Sequence, residues 1–511
     1  MKRFFILCVA LLTFGHASEK PNILVIYTDD QGYGDAASLN AESKFPTPTL
    51  DRLAAEGMTF TDAHCSDTVC TPSRYGLLTG RYSWRTRLKT GVFGSETPCL
   101  IEEGRMSLAS MLKENGYATA MIGKWHLGMQ FPGDRNNRDW SQPVTDMPLD
   151  KGFDYFYGIP ASLNFGILAW FEGRHAKVPP TLYTQKKPNE IAIKDYRIMP
   201  PYDADLTDLS LPDENGNFKG PIEVAPDFVD SECLTRFTDK TIEWLKQRPE
   251  EKPFFVYLPY TSPHKPVIPI DQFRGKSEAG AYGDFMMETD WHVGRILDYL
   301  DESGLAKDTL IVFSSDNGPE NTWPIRQEKF GHDSNGIYRE GKRSIYEGGH
   351  RVPFFVRWPA RVKAGSTFDG PICQTDIFAT VAEIVDYKLP DNAGEDSVSF
   401  FDVLKTGNAE EERPAIIHHG VSGRFAIRQG NWKLVMESKK KGETRELYDL
   451  YVDPEEENQL LKPRGKADYS EMEADMVEEL NRIIKSGRST RGPAVENDTG
   501  WWDDLVWMEK W

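Results

Sequence analysis

"NILVIYTDD", Asn22 to Asp30, opens with a run of apolar residues, Ile23 to Tyr27, and closes on two carboxylates. The run has neither the alternation of a half-exposed strand nor the period of a surface helix, so it reads as a parallel strand buried on both faces. The residues that follow repeat the scheme. A short helix carries Leu50, Leu53 and Ala54 on one face, with Gly57 to stop it. "SLASMLKENGYATAMIGKWH" (107–126) reads as a helix from about Ser107, ended by Gly116, then a strand running into Lys124 and His126. "PFFVYLPYTSPH" (253–264) is another apolar strand and stops before His264. A long helix, about Asp284 to Ser303, leads into the strand of "TLIVFSSDNG" (309–318), which stops at Asp316 and Asn317. "VPFFVRWP" (352–359) adds a strand and "TDIFATVAEIVDY" (375–387) a helix. Strands alternating with helices specify an α/β domain, a large and mostly parallel sheet sandwiched by helices.

In open sheets of this kind, ligands bind beyond the carboxyl ends of the strands. Asp29, Asp30, Lys124, His126, His264, Asp316 and Asn317 each fall just after a strand, so the topology gathers them at one edge. One polar residue after a strand is ordinary loop chemistry; seven of complementary kinds mark a site. Between Gly158 and Asp230 the periodicity fades into Pro-rich, aromatic and polar sequence, a length of loop that is functional or disordered in most domains. From about Glu411 the alternation ends. "RFAIRQGNWKLVME" and "ELYDLYVDP" read as antiparallel strands, and "YSEMEADMVEELNRIIKSG" as a helix, which makes a small α+β domain. The expected divisions are residues 1–17, 18–410 and 411–511.

"MKRFFILCVALLTFGHA" combines Lys2 and Arg3, an apolar run from Phe4 to Phe14, and small residues at Gly15 and Ala17. That order predicts a signal peptide cleaved after Ala17 and an exported protein, periplasmic or secreted. The run is too short to span a bilayer comfortably, and no later stretch approaches the ~20 apolar residues of a membrane helix. Cys8 lies inside the run, not at the cleavage site, so no lipid anchor is expected. Cys65, Cys99, Cys233 and Cys373 show no paired spacing; one bridge among them and buried free thiols both fit. The net charge of -19 argues against a nucleic-acid partner. Residues 446–511 hold 17 acidic against 8 basic residues, which leaves the rest of the chain free to build local cationic sites.

Asp29, Asp30, Asp316 and Asn317 offer hard oxygen donors, which prefer Ca²⁺ or Mg²⁺ to zinc or copper. Such a metal beside Arg74, Lys124, His126, His264 and Lys342 makes a pocket for a doubly charged tetrahedral anion, sulfate or phosphate. Cys70, in "CTPSRYGLLTG" (70–80), lies just before a helix expected to begin near Ser73, where free N–H groups also favour an anion. A thiolate there would be acidic, yet transfer from a hard oxyanion to sulfur is poor chemistry, and an oxygen nucleophile held on a hard cation would serve better.

From Asn22 to Tyr387, and in its small C-terminal domain, the chain resembles the type I, formylglycine-dependent sulfatases of the alkaline phosphatase superfamily, the arylsulfatase A-like group. "CTPSRYGLLTGR" matches that family's C-x-P-S-R-x-x-x-x-T-G sequence in full, and "GKWHLG", "SPHKP", "SDNG" and "GKRSIYEGGHRVP" follow in the family's order. The resemblance implies that a formylglycine-generating enzyme oxidises Cys70 to an aldehyde, whose hydrate attacks sulfur. It implies one Ca²⁺ per chain held by Asp29, Asp30, Asp316, Asn317 and the modified Cys70. Arg74 would steady the hydrate, and Lys124 and Lys342 would neutralise sulfate. His126 would take the proton that restores the aldehyde, and His264 would protonate the leaving alcohol.

The expected activity is hydrolysis of a sulfate ester, on an O-sulfated sugar of a glycosaminoglycan or an algal polysaccharide. A phosphonate or phosphate monoester hydrolase of the same superfamily is the alternative, followed by a catalytically dead binder of sulfated glycan. Expected sugar contacts are Asn164, Trp170, Arg174, His175, His332, His350 and Arg351.

Overall fold

The computed structural model describes residues 20–135, 137–184, 207–208, 222–438, 443–461 and 468–510. The expected signal peptide lies outside the described residues, as do 185–206 and 209–221 of the long loop. No helix among the described residues is long and apolar enough to cross a membrane.

The run that begins at Asn22 forms strand β1 (Asn22–Asp29), buried from Ile23 onward. It lies near the middle of a ten-stranded sheet. In chain order the other strands of that sheet are β2 (Met58–Phe60), β3 (Ala118–Lys124), β4 (Tyr155–Ile159), β5 (Phe171–Glu172), β6 (His175–Ala176), β7 (Phe254–Pro263), β8 (Thr309–Ser315), β9 (Phe354–Arg357) and β10 (Ser366–Phe368). Their spatial order is β6-β5-β4-β3-β7-β1-β8-β9-β2-β10. The five central strands, β4 to β8 in that order, are mutually parallel. Strand β9, read from sequence as one more strand, pairs antiparallel to β8, as β5 does to β4. Antiparallel flanks thus close a parallel centre, and the candidate residues Asp29, Lys124, His264 and Asp316 end or directly follow strands of that centre.

Local chemistry explains the helices. Helix α1 (Pro48–Glu56) buries Leu50 and Leu53 and stops at Gly57. Helix α2 (Cys70–Thr79) begins at Cys70 itself, three residues before the expected start. Pro72 sits in its first turn, where a missing N–H costs nothing because no carbonyl is waiting for it. Helix α3 (Leu108–Glu114) is capped by Ser107, whose side chain accepts from the Ser110 amide while the Ser110 hydroxyl accepts from the Ser107 amide. Helix α4 (Gly280–Glu302) starts four residues before the expected Asp284. Asp284 does not cap it; its carboxylate accepts from the amides of Gly275, Lys276 and Ser277 and so ties the preceding loop to the helix.

The C-terminal region forms a four-stranded antiparallel sheet of β11 (Ile416–His419), β12 (Phe425–Gln429), β13 (Trp432–Val435) and β14 (Glu446–Asp449), with helix α5 (Ser470–Ser486) packed on it. Its core, built on Ile417, Phe425, Leu434 and Ile483, extends into the larger domain through Tyr82 and Trp84. Strand β11, "IIHH", is too short and too irregular in pattern to read from sequence. The cysteines of the described residues are all buried and free.

Candidate active site

A strand sends successive side chains to opposite faces, so Asp29 and Asp30 could not both face one site if β1 simply continued. Two local departures bring them together. The pairing of β1 with β7 slips between Tyr27 and Asp29, and Asp30 adopts φ +66, a left-handed conformation that costs a non-glycine residue energy and that functional sites often retain. Both carboxylates are then buried at the same edge. The Asp30 amide donates to Asp316 Oδ1 (3.1 Å), and Asn317 Nδ2 donates to Asp30 Oδ1 (2.8 Å), which joins the ends of β1 and β8.

Cations close over these acids. Lys124 Nζ reaches Asp29 Oδ2 at 2.5 Å, and Lys342 Nζ reaches Asp30 Oδ1 at 2.5 Å. Arg74, fully buried one turn into α2, donates to Asp316 Oδ2 (2.7 Å) and to the Lys124 carbonyl (3.1 Å). Cys70 lies among them, with Sγ 3.5 Å from Asp29 Oδ1 and 3.6 Å from Lys342 Nζ. His264 Nε2 stands 3.7 Å from Asp30 Oδ2. Three carboxylates face three fixed cations here, and the arrangement is electrically balanced.

Titration behaviour follows from that burial. The Cys70 thiol is pushed up, first by burial and then by Asp316, against the opposing pull of Lys124 and Lys342. The helix start therefore does not make it an acidic thiolate, and at neutral pH the thiol keeps its proton. Burial, with Asp29 adding to it, lifts Asp316 to about 6. Burial tends to raise Asp30, but Lys342 and His264 outweigh it and hold this carboxyl below its ordinary value. Burial pushes His264 down to about 3 and pushes His126 well down, Lys124 and Arg74 adding to the latter.

The donor set fits a hard divalent cation. All four protein oxygens come from carboxylates or an amide, and Asp30 Oδ2 and Asn317 Oδ1 are buried without a hydrogen-bond partner. Asp29, Asp30, Cys70 and His264 can direct ligand atoms to within 4.8 Å of one another.

A family model described as Sulfatase matches residues 21–387, and one described as N-sulphoglucosamine sulphohydrolase, C-terminal, matches 336–486. The chain belongs to the sulfatase family. This sulfatase is 33% identical over 498 residues to the N-acetylgalactosamine-6-O-sulfatase of Bacteroides thetaiotaomicron, covering 92% of this chain and 94% of that protein. A solved structure from the metabolism of multiple glycosaminoglycans by the same organism superposes with a TM-score of 0.77 at 31% identity, over 91% of this chain and 99% of that one. A carbohydrate complex, Ps i-CgsB with k-i-k-neocarrahexaose, superposes with a TM-score of 0.65 at 25% identity, over 94% and 95% of the two chains.

The sulfatase brings Asp29, Asp30, Cys70, Arg74, Lys124, His126, His264, Asp316, Asn317 and Lys342 to one edge of its sheet. The expected sugar contacts scatter. Asn164 lies on the loop after β4, which also receives the His126 amide at the Pro160 carbonyl; its Oδ1 is buried and unpartnered. Trp170 is a core residue, fully buried and stacked on Tyr157 with Phe228 at 4.4 Å. His332 is fully buried, and both ring nitrogens are taken, by Asp35 and the Lys44 amide. His350 is buried at the junction with the C-terminal sheet, and Arg351 is tied there to Asp62, Glu347 and the Thr61 carbonyl. Trp170, His332 and His350 are enclosed in the fold, whereas Arg351 is partly exposed. His175 is exposed on the outermost strand β6, and Arg174 beside it pairs with Asp150.

Sequence reasoning missed two features of the site. Ser162, 1% exposed with an unpartnered hydroxyl, shares the loop of Asn164 beside His126. Glu320 is held far below the carboxylate range despite its burial, by Arg343, Lys342 and Lys265. Lys265 and Arg343 directly follow His264 and Lys342 in sequence, and that adjacency was the available signal.

Proposed function

We propose that this sulfatase hydrolyses a sulfate ester on a glycosaminoglycan-type sugar, with N-acetylgalactosamine 6-O-sulfate as the first substrate to test, through a formylglycine made from Cys70. The placing of Cys70 between Asp29 and Lys342, at the head of a buried helix, supports the chemistry. The similarity to a sulfatase of that named specificity supports the sugar.

Asp29, Asp30, Asp316, Asn317 and residue 70 would hold calcium, which when bound supplies a fixed double charge that favours an anionic oxygen on residue 70 and draws in sulfate. As hydrated formylglycine, residue 70 offers two hydroxyls on one carbon, one to take the sulfate and one whose deprotonation lets it go. The remaining work falls to the side chains. Arg74, fixed by Asp316 and the Lys124 carbonyl, keeps a positive charge beside residue 70. Lys124 and Lys342 neutralise the sulfate oxygens as charge builds on them.

The two histidines differ in tautomer. His126 Nε2 lies 3.0 Å from the Phe93 carbonyl, an acceptor, so that nitrogen carries the proton and the unpartnered Nδ1 is the base. His264 Nδ1 lies 2.6 Å from the Lys265 carbonyl and carries its proton there, leaving Nε2 free towards Asp30. With its imidazole down at about 3, His264 is neutral at rest, and it becomes an acid only when an anionic substrate arrives beside Nε2.

Sulfate release from a panel of defined 4-O- and 6-O-sulfated amino sugars and carrageenan oligosaccharides, with an aryl sulfate and an aryl phosphonate as references, tests this reading. Fastest turnover of the 6-O-sulfated galactosamine supports it. A preference for the phosphonate would replace it with phosphonate hydrolysis, and no turnover of any ester would leave a glycan binder.

A further inference from the structure

A second group of ligating side chains lies where the C-terminal sheet meets the larger domain, and the sulfatase reaction does not use it. His64, Glu347, His350 and His418 are all buried, and each can direct one ligand atom to within 4.8 Å of the others. They come from segments far apart in sequence: His64 before the Cys70 helix, Glu347 and His350 from the turn before β9, and His418 from β11. His64 Nδ1 and His350 Nδ1 stand 2.9 Å apart, near the ~3.3 Å between two nitrogens that share one tetrahedral zinc through bonds of about 2.0 Å.

The outer nitrogens of both rings face acceptors. His64 Nε2 is 2.7 Å from Asp62 Oδ1, and His350 Nε2 is 3.1 Å from the Ile345 carbonyl. If those acceptors hold the ring protons, both Nδ1 atoms present lone pairs to each other, and only a cation or a proton can lie between them. Imidazole N–H on a carboxylate or carbonyl is also the usual outer support of a metal-bound histidine. His418 adds an independent observation. It is 1% exposed, and neither of its nitrogens has a hydrogen-bond partner; its ring stacks on His350 with centroids 3.8 Å apart, so it has to turn out of that stack to aim an in-plane lone pair at an ion shared with His350. A buried polar group left unpaired in this way is costly and calls for a partner.

Burial pushes all three imidazoles down, towards the neutral form that ligates metals. Around them Asp62, Glu347 and Glu456 balance Arg351, Arg428 and Lys433. All three of these cations touch the cluster: Lys433 Nζ lies 2.9 Å from Glu347 Oε1 and 3.2 Å from His350 Nε2, Arg428 Nη1 lies 2.9 Å from His64 Nε2, and Arg351 Nη1 lies 3.3 Å from Glu347 Oε2. They compete with a metal, and the shell does not cancel a divalent charge, so binding should be weaker than at a thiolate site. Three nitrogens and one carboxylate select zinc over calcium.

We propose that His64, Glu347, His350 and His418 form a closed structural zinc site that ties β11 of the C-terminal sheet to the catalytic domain. The rival filling is a proton, passed from His350 Nδ1 to His64 Nδ1 with Lys433 donating to His350 Nε2.

The test is a cobalt(II) titration of the full-length protein in excess calcium, read by the visible absorption of tetrahedral cobalt and chased with zinc. One equivalent should bind, give that spectrum and be displaced by zinc, and zinc alone should raise the melting temperature. His418→Gln and His350→Gln should abolish the spectrum, while Asp30→Asn, at the other cluster, should keep it; circular dichroism checks that each variant is folded. Absence of stoichiometric uptake in the wild type would overturn the proposal in favour of the shared proton. Uptake lost in Asp30→Asn but kept in folded His418→Gln would also overturn it, by placing the metal at the catalytic edge.

Discussion

Lys342 and Cys70 meet at 3.6 Å, and the same ammonium lies 2.5 Å from Asp30. One side chain therefore lies beside both the residue proposed for modification and a carboxylate proposed as a metal ligand, although its place after a glycine in a polar loop predicts a purely catalytic part. Removing it leaves a buried carboxylate short of a cation, unless a metal replaces that charge. Lys342→Ala should lower kcat/KM on an aryl sulfate by about three orders of magnitude or more. It should also lower the melting temperature more in chelator than in calcium. Equal losses in the two conditions would place Lys342 outside the metal's electrostatic reach.

Calcium itself should be stabilising. Asp29, Asp30 and Asp316 are all buried at the edge where β1 and β8 end, and a bound ion offsets their mutual repulsion. Chelation should lower the melting temperature and abolish turnover, and calcium should restore both. Asp316→Asn should weaken calcium binding and remove the carboxylate that orients Arg74, so added calcium should not rescue its turnover. Full activity in Asp316→Asn would sink the ligand assignment.

Residue 70 can be weighed directly. Protein made alongside a formylglycine-generating enzyme should yield a peptide with the aldehyde mass at position 70 and react with hydrazides. Cys70→Ala should be inactive and folded. Cys70→Ser should be nearly inactive in a host that does not oxidise serine, because a single hydroxyl can accept sulfate but has no second one to expel it. Wild-type turnover by protein shown to carry only the thiol would require a different nucleophile.

Glu288 gives a pH prediction away from the site. It is buried on α4 and accepts from the Ile270 amide, and burial lifts its carboxyl to about 8. The unfolded chain releases this proton near pH 4.5 while the folded chain keeps it to about 8, so stability falls as pH rises through that window. Glu288→Gln should remove that slope, raising the melting temperature at pH 8 and changing it little near pH 4. A variant that melts below wild type at pH 8 would show that the charged form has a partner.

Asn164 tests the sugar. If its buried, unpartnered Oδ1 takes a hydroxyl or amide of the substrate, Asn164→Ala should raise KM for the sulfated sugar about tenfold, the worth of one hydrogen bond, and leave an aryl sulfate unaffected. Equal effects on both substrates would move Asn164 into the sulfate pocket.

The gathering of the candidate residues at one edge was legible because they sit where strands stop. Buried parallel strands announce themselves as apolar runs, and the first polar residue after each is already a candidate, as with Asp29, Lys124 and Asp316. The starts of α2 and α4 were placed late, since the residues at their N-caps, Val69 and Ala279, have no capping side chain. Distance along the chain proved a poor guide to distance in space. His332 precedes Lys342 by only ten residues, yet it packs against Asp35 beneath the site. His350 faces His64 from nearly three hundred residues away, and no spacing rule links those two to His418. Trp170 reads as a candidate sugar contact because the rings it packs on, Tyr157, Phe228 and Phe237, are distant in sequence.

All ten residues of α2 are buried, and Cys70 is its first. If Cys70 is converted to formylglycine as proposed, the converting enzyme has to reach its side chain before this helix docks, and folding and maturation run as a race on the same chain. A molecule that folds first is sealed with its thiol and has no way back short of unfolding. Two preparations with the same melting curve and the same purity can then contain very different numbers of working molecules. The quantity that describes such a preparation is its count of titratable aldehydes, and the lever that moves it is the speed of synthesis.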